Sequence, residues 1–409
     1  MSQNAHTISP QQLLAKADLC VSCGMCLPHC PTYQIARSEA ESPRGRISLI
    51  SALLQSDIQH DAILLEHLDH CLLCRSCESC CPASVPFAEI MDGVREHLKP
   101  QRPPNNFLKK ILLIVSTRKK LLKSIASLFY YSGLSKLFFY LSSNAGSTLT
   151  KAMYFLSQLK PAKKRKRLYS ANIKSRHTVA LFTGCVHESF DEKSISNAIR
   201  VLNYLGIDVY VPENQQCCGA MHLHDGDVKQ ARFFTEKNIN VFNQLDIDAV
   251  VSLASACTVT LNDSQLPMND ASVNYMDIVS YLETLEWTGV QLKEIKKTIL
   301  LHYPCSQRNG IKNTEIIDRF LGRIPGLIIK KAPVEIKCCG AAGTYSLDYP
   351  DWSNQLKESA SHYFSKTDFD ELVTSNIGCA LQFRSIFDRN ENIPVCHPVD
   401  IMAFALPID

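Results

Sequence analysis

Cys20-Val21-Ser22-Cys23-Gly24-Met25-Cys26-Leu27-Pro28-His29-Cys30-Pro31 and Cys71-Leu72-Leu73-Cys74-Arg75-Ser76-Cys77-Glu78-Ser79-Cys80-Cys81-Pro82 repeat one spacing, Cys-x2-Cys-x2-Cys-x3-Cys-Pro. Three thiolates two residues apart wrap one cubane from a tight loop, and soft sulfur suits iron in a sulfide cage. The spacing therefore predicts two [4Fe–4S] clusters and a role in moving electrons. The fourth cysteine of such a run usually serves the other cluster. That rule assigns Cys20, Cys23, Cys26 and Cys81 to one cluster, and Cys71, Cys74, Cys77 and Cys30 to the second. A zinc site pairs two Cys-x2-Cys motifs across a longer loop, and this pattern fits one tetrahedron poorly. Disulfides are disfavoured too: residues 1–19 have no apolar core or small-residue cleavage site, and 18 cysteines without a secretory signal point to a reducing, cytosol-facing compartment.

Between these runs, residues 42–71 show helical apolar spacing and no strand-like alternation. A helical ferredoxin-like domain over residues 10–100 is expected. Ser42-Pro43-Arg44-Gly45-Arg46 interrupts it and brings two guanidinium groups to a helix start. They serve either as cluster-compensating charges or as plain surface arginines.

The net charge of +3 conceals an asymmetry: residues 97–187 hold 18 Lys and Arg and no acid. Lysines alternate there with short apolar clusters, none near the ~18 residues of a spanning helix. Residues 101–176 read as a basic helical linker without a transmembrane helix. It either packs on its neighbours with its lysines in solvent, or forms a cationic face toward anionic lipid or an acidic partner. Lys163-Lys164-Arg165-Lys166-Arg167 alone evokes nucleic acid, but no nucleic-acid motif accompanies it.

After the linker one pattern occurs twice. Cys185, Cys217-Cys218-Gly219 and Cys257 recur as Cys305, Cys338-Cys339-Gly340 and Cys379, at offsets of 120, 121 and 122 residues. Such constancy in a rare residue is a duplication. Each copy runs strand–helix–strand–helix–strand, from HTVALFTGC (177–185) to DAVVSLASAC (248–257), and from KTILLHYPC (297–305) to DELVTSNIGC (370–379). Two α/β domains with parallel sheets follow, over residues 177–290 and 291–409. The overall class is α+β multidomain. The eight cysteines fall at or past strand ends, where open sheets place ligands. They are candidates for a further redox or metal site, with buried packing thiols as the alternative. His187, His222, His224, His302 and His397 lie near in sequence but receive no role, and Cys80 and Cys396 fall outside both patterns.

Cys30-Pro31-Thr32-Tyr33-Gln34, Ser42-Pro43-Arg44-Gly45-Arg46-Ile47, Glu66-His67-Leu68-Asp69 leading into the second cysteine run, and Cys338-Cys339-Gly340-Ala341-Ala342-Gly343-Thr344-Tyr345 together resemble the iron–sulfur subunit of glycolate oxidase. The Cys-Cys-Gly repeats are also similar to those of heterodisulfide reductase and anaerobic glycerol-3-phosphate dehydrogenase. In the heterodisulfide reductase pattern a further cysteine follows the last ligand. Thr260 and Gln382 stand there, so a noncubane cluster of that type would lack a ligand in each repeat. The resemblance implies a complex in which FAD-binding glycolate oxidase subunits oxidise glycolate to glyoxylate, and D-lactate as a further substrate. This chain would then pass the electrons toward a membrane acceptor from the cytoplasmic face of the inner membrane. Hydride removal needs a flavin or nicotinamide, yet the chain has no Gly-x-Gly-x-x-Gly, P-loop or nucleophile elbow. A thiol/disulfide reductase with its site in the repeats is the alternative.

Overall fold

The computed structural model describes residues 8–101, 113–142, 148–171, 177–262, 273–333, 335–336, 338–388 and 393–407. Its first part is helical, as the apolar spacing requires. Helix α1 (Pro10–Ala17) starts at a capping box between Ser9 and Gln12, with proline at its first position. Helices α2 (Pro31–Ala36), α3 (Pro43–Leu54), α4 (Ala62–Asp69), α5 (Ser76–Ser79) and α6 (Phe87–Leu98) follow. The Ser42 hydroxyl accepts from the Gly45 N–H at 2.9 Å and fixes the start of α3. Leu13, Ile50, Leu68, Ile90, Met91 and Val94, all wholly buried, form the core of this layer.

The duplication is explicit in the sheets. Strands β1 (Leu168–Tyr169), β2 (His177–Phe182), β3 (Ile207–Tyr210), β4 (Ala249–Ser252) and β5 (Asn274–Asp277) form one sheet in the order β1-β3-β2-β4-β5. Strands β6 (Thr298–His302), β7 (Ile328–Lys331), β8 (Glu371–Thr374) and β9 (Val395–Cys396) form the other in the order β7-β6-β8-β9. Removing β1 leaves two identical parallel topologies. The inner strands β4 and β8 are buried at every position, as expected of strands covered on both faces.

Two points differ from the sequence reading. The first sheet begins inside the basic linker, because β1 pairs antiparallel with β3, Leu168 opposite Tyr210. The helical reading of residues 101–176 therefore ends too late. Each repeat also carries a fourth parallel strand, β5 or β9, that the apolar pattern did not mark.

The repeats bury one continuous core between them. Helix Glu192–Tyr204 of the first packs on Pro398–Ala405 of the second, while Ile278–Leu282 packs on Glu315–Gly322. Each contact pairs the helix after a first strand in one copy with the helix after a last strand in the other, which makes the interface pseudo-twofold. Ser194 Oγ and Asn197 Nδ2 donate to the two carboxylate oxygens of Asp400, at 2.8 and 2.7 Å, and lock one side.

Within the linker, helices Lys119–Tyr131, Leu134–Leu141 and Thr148–Ser157 follow one another. Residues 102–112, 143–147 and 172–176, which include part of its lysine-apolar stretch, lie outside the described residues. Several of its cations are consumed internally: Lys123 pairs with Glu188, Lys163 and Arg165 with Glu192, and Lys151 donates to the Pro350 carbonyl. No helix among the described residues is long and apolar enough to cross a membrane.

Candidate functional site

The two cysteine runs share a backbone as well as a spacing. Ser22 and Leu73 occupy equivalent positions with φ of 54° and 51°, and Gly24 and Arg75 do so with φ of 82° and 59°. Left-handed residues between the cysteines curl each loop around a centre, a conformation that costs non-glycine residues about 1 kcal/mol or more each. Cys30 from the first run joins Cys71, Cys74 and Cys77 of the second around one cleft. Cys26 feels the charges of Cys80 and Cys20. Cys80 Sγ reaches the Met25 and Cys77 carbonyls at 3.7 and 3.5 Å, so this cysteine, outside the motif by spacing, borders the first group. Cys81 and Cys20 both flank the helical core, and Cys23 is exposed.

The two arginines of the Pro-Arg-Gly-Arg turn divide between the runs. Arg44 donates to the Ser22 carbonyl at 3.0 Å and lies where a Cβ on Gly24 would strike it. Arg46 lines the other cleft and is 1% exposed. It donates to Thr32 Oγ1 at 3.0 Å and to the carbonyls of Glu41 and His67 at 2.7 Å, and it pairs with the Glu41 carboxylate. Gly45 between them is obligatory, since a Cβ there would lie 1.9 Å from the Glu39 carbonyl oxygen. Thr32 Oγ1 in turn contacts Cys30 Sγ at 3.2 Å.

Glu41 gathers His67 Nδ1 at 2.7 Å and His70 Nδ1 at 2.8 Å on one oxygen. Burial alone would push its carboxyl up, but the His70 hydrogen bond and the Arg46 charge outweigh it and hold the group below its usual range. Glu, His and His together have the composition of a metal site. With Arg46 on the second carboxylate oxygen they form a hydrogen-bonded brace instead.

In each repeat the sulfurs converge from three adjacent parallel strands. Cys185 follows β2, Cys217 and Cys218 follow β3, and Cys257 opens the helix after β4; Cys305, Cys338, Cys339 and Cys379 hold the same places after β6, β7 and β8. Cys185 and Cys217 sulfurs are 3.3 Å apart, and those of Cys339 and Cys379 are 3.0 Å apart. These are thiol contacts rather than disulfides, which need about 2.05 Å. Hydrogen bonds from Cys185 and Cys218 pull Cys217 well below the ordinary thiol range, whereas the bond with Cys338, followed by burial, pushes Cys305 well above it. Thr260 and Gln382 are buried and hydrogen-bonded to Ala256 and Ser353, and bring no sulfur.

The groups are not evenly connected. Cys74 lies close enough to Cys305, and Cys338 to Cys74, for each charge to raise the neighbour's pKa. Leu72 packs on Cys338 and Tyr345, and Asn309, four residues past Cys305, donates to the Cys74 carbonyl at 2.7 Å. The first repeat instead meets the linker: Lys119, with its Nζ 3.0 Å from Thr183 Oγ1 and 3.7 Å from Glu188, feels Cys185 and Cys217. Burial lowers its pKa. His222 lies near Cys217; His302 bonds Thr374, and His397 caps the helix Pro398–Ala405. Sequence reasoning missed Glu41, Lys119 and Asn309, which carry no motif and act across long sequence separations, and gave no role to Thr32.

A family model described as a 4Fe-4S dicluster domain matches residues 16–85, and one described as a cysteine-rich domain matches residues 179–262 and 299–384. The chain belongs to the iron–sulfur proteins that join a 4Fe-4S dicluster domain to paired cysteine-rich domains. This dicluster protein is similar to the glycolate oxidase iron-sulfur subunit of Escherichia coli, at 28% identity over 94% of this chain and 93% of the relative. It is equally similar, at 28%, to a probable glycolate oxidase iron-sulfur subunit of Bacillus subtilis, over 90% and 89% of the two chains. Lactate utilization protein A 1 of Bacillus anthracis matches at 24% over 56% of this chain and 98% of its own length. The donor set suits the iron–sulfur class. Burial pushes the Cys74 thiol up to about 12 and Cys77 higher than usual, so these sulfurs ionise when a cationic metal centre takes the place of their protons.

Proposed function

We propose that this chain is the electron-transfer subunit of a flavin-dependent glycolate oxidase (glycolate dehydrogenase) complex. The observation that carries the reading is the cleft where Cys30, Cys71, Cys74 and Cys77 meet beside Cys305 and Cys338, in a chain alike over nearly its whole length to glycolate oxidase iron-sulfur subunits. In this reading those four cysteines hold one [4Fe–4S] cluster, and Cys20, Cys23, Cys26 and Cys81 hold the second. When bound, the clusters supply one-electron transfer. The chain's own residues shape that chemistry: Arg46 offsets sulfur charge in the cleft, Thr32 bonds Cys30, and Leu72 excludes water between Cys74 and Cys338. FAD-binding partner subunits take hydride from glycolate, with D-lactate as a second substrate.

Anaerobic purification with candidate flavoprotein subunits tests this. About eight iron per chain, and glycolate-driven dye reduction that requires both components, are expected. An iron-free chain, or full electron transfer to the acceptor without it, sinks the reading. The close thiol pairs in the repeats favour one second reading, a thiol/disulfide reductase. It requires the isolated chain to reduce a disulfide.

The membrane side of the reading rests on the helical pair Lys119–Tyr131 and Leu134–Leu141. Tyr131 and Tyr140 are each 77% exposed and Leu128 61%, within a segment that has lysines and no acid. Exposed apolar and tyrosine side chains beside lysines form an interfacial surface for anionic lipid, attached at the cytoplasmic face. Leu128→Ser, Tyr131→Ser and Tyr140→Ser together should abolish sedimentation with anionic vesicles; unchanged binding overturns the assignment.

A further inference from the structure

The two cysteine runs have matching backbones and opposite surroundings. Val21 and Leu72 hold equivalent places, each just after the first cysteine of its run, and the left-handed residues that follow match in both loops. Leu72 is 8% exposed and packs on Cys338 and Tyr345 of the second repeat. Asn309 of that repeat also donates to the Cys74 carbonyl. The second run thus meets its redox neighbour through an apolar side chain beside a ligand cysteine.

The first run offers the same contact to solvent. Val21 is 70% exposed, Met25 56% and Leu19 48%, and Cys23, the counterpart of the half-buried Cys74, is exposed among them. Exposed apolar side chains grouped in this way mark an interaction surface. Charges of the same segment are paired within the module, Lys16 with Glu89 at 3.0 Å and Arg44 with Glu39 at 2.6 Å. Of the other charged residues in 16–44, Glu41 is buried, and Asp18 and Arg37 have opposite signs. The face therefore suits an apolar partner surface rather than a charged one.

The linker helices assigned above to lipid are anchored on the repeats. Lys119 donates to Thr183, Lys123 pairs with Glu188, and Thr148 and Lys151 donate to the Leu347 and Pro350 carbonyls. The membrane side of the relay lies with the repeats, which leaves the first cysteine run as its other terminus.

We propose that Leu19, Val21 and Met25, grouped around Cys23, dock the flavin-bearing partner subunit and make the first cluster the point of electron entry, a placement that rests on the electron-transfer reading above. The partner's reduced flavin is oxidised one electron at a time and its protons leave to solvent. Each electron reduces the first cluster and then passes to the second.

Binding of the iron-loaded chain to the immobilised flavoprotein subunits, read by surface plasmon resonance, tests the face. Val21→Asp and Met25→Asp each put a charge into the apolar contact and should weaken binding about tenfold, the loss typical of a central interface residue. Ile63→Asp, at an apolar side chain 64% exposed on α4, should bind like wild type. Aspartate variants within twofold of wild type, or an equal loss from Ile63→Asp, overturn the proposal. If an aspartate lowers iron content, benzoylphenylalanine in place of Val21 should cross-link to the flavoprotein on irradiation, and failure to cross-link overturns the face. A loaded wild-type chain that binds the flavoprotein whatever stands at these positions refutes the face and leaves the electron-transfer reading standing; one that binds no flavoprotein refutes both.

Discussion

His70 stacks on Trp352 with ring centroids 4.1 Å apart and planes 28° from parallel. The contact joins the residue before Cys71 to the second repeat's helix Pro350–Phe364, and Tyr349 closes on His70 edge-on at 4.6 Å. The brace of Glu41, Arg46, His67 and His70 thus ends on an aromatic wall of another domain. The position of the second cysteine loop is set from both sides.

Trp352→Ala should loosen that docking. Loss of an aromatic pair costs about 1 kcal/mol beyond its buried area. The expected signs are a lower unfolding midpoint and faster proteolysis near the junction, with iron content retained; a midpoint equal to wild type refutes the wall.

Arg46→Ala should be far more severe. It leaves the Glu41 carboxylate buried at 3% exposure without its cation, which typically costs about 3–5 kcal/mol. The purified variant should lose iron from the second site and melt earlier. Arg46→Lys should rescue little, because one ammonium cannot reproduce the fork to Thr32, Glu41 and His67.

Cys74→Ser should lower iron from about eight to about four per chain and stop glycolate-driven reduction of the acceptor. The flavoprotein partner should still reduce its own flavin. Electron delivery at the wild-type rate would falsify the wire.

Acid should destabilise the repeats. Burial depresses His302 to about 3 and His397 to about 4. Unfolded histidine titrates near 6.5, so between these values the unfolded chain holds more protons, and stability is full above about pH 6.5 and falls as pH drops. Each group should cost about 2 kcal/mol by pH 5. Urea midpoints from pH 7 to 5 should decline, and His397→Asn, which keeps a capping acceptor, should flatten the slope; a midpoint that rises toward pH 5 contradicts this.

Much of this architecture was legible where chemistry forces spacing. Cysteines that wrap a cubane cannot drift, so the two runs declare themselves, though not the left-handed residues between them; the constant offsets of the Cys-Cys-Gly turns reveal the duplication, and the apolar runs its inner strands. The illegible parts are short or distant. Asn-Tyr-Met-Asp of β5 has one wholly apolar side chain, and β9 and β1 are each two residues long. Lys119 meets Cys185 across 66 residues of chain and Asn309 meets Cys74 across 235, contacts that only tertiary packing creates.

The reciprocal packing of the repeats has an evolutionary consequence. Each half buries helices against the other as well as against its own sheet, and the pairing is the one a symmetric homodimer would use. An ancestral dimer joined end to end accounts for it. Fusion frees two copies from identity: Cys305 and Cys338 lie beside Cys74 of the dicluster module, whereas Cys185 and Cys217 lie beside Lys119 of the linker.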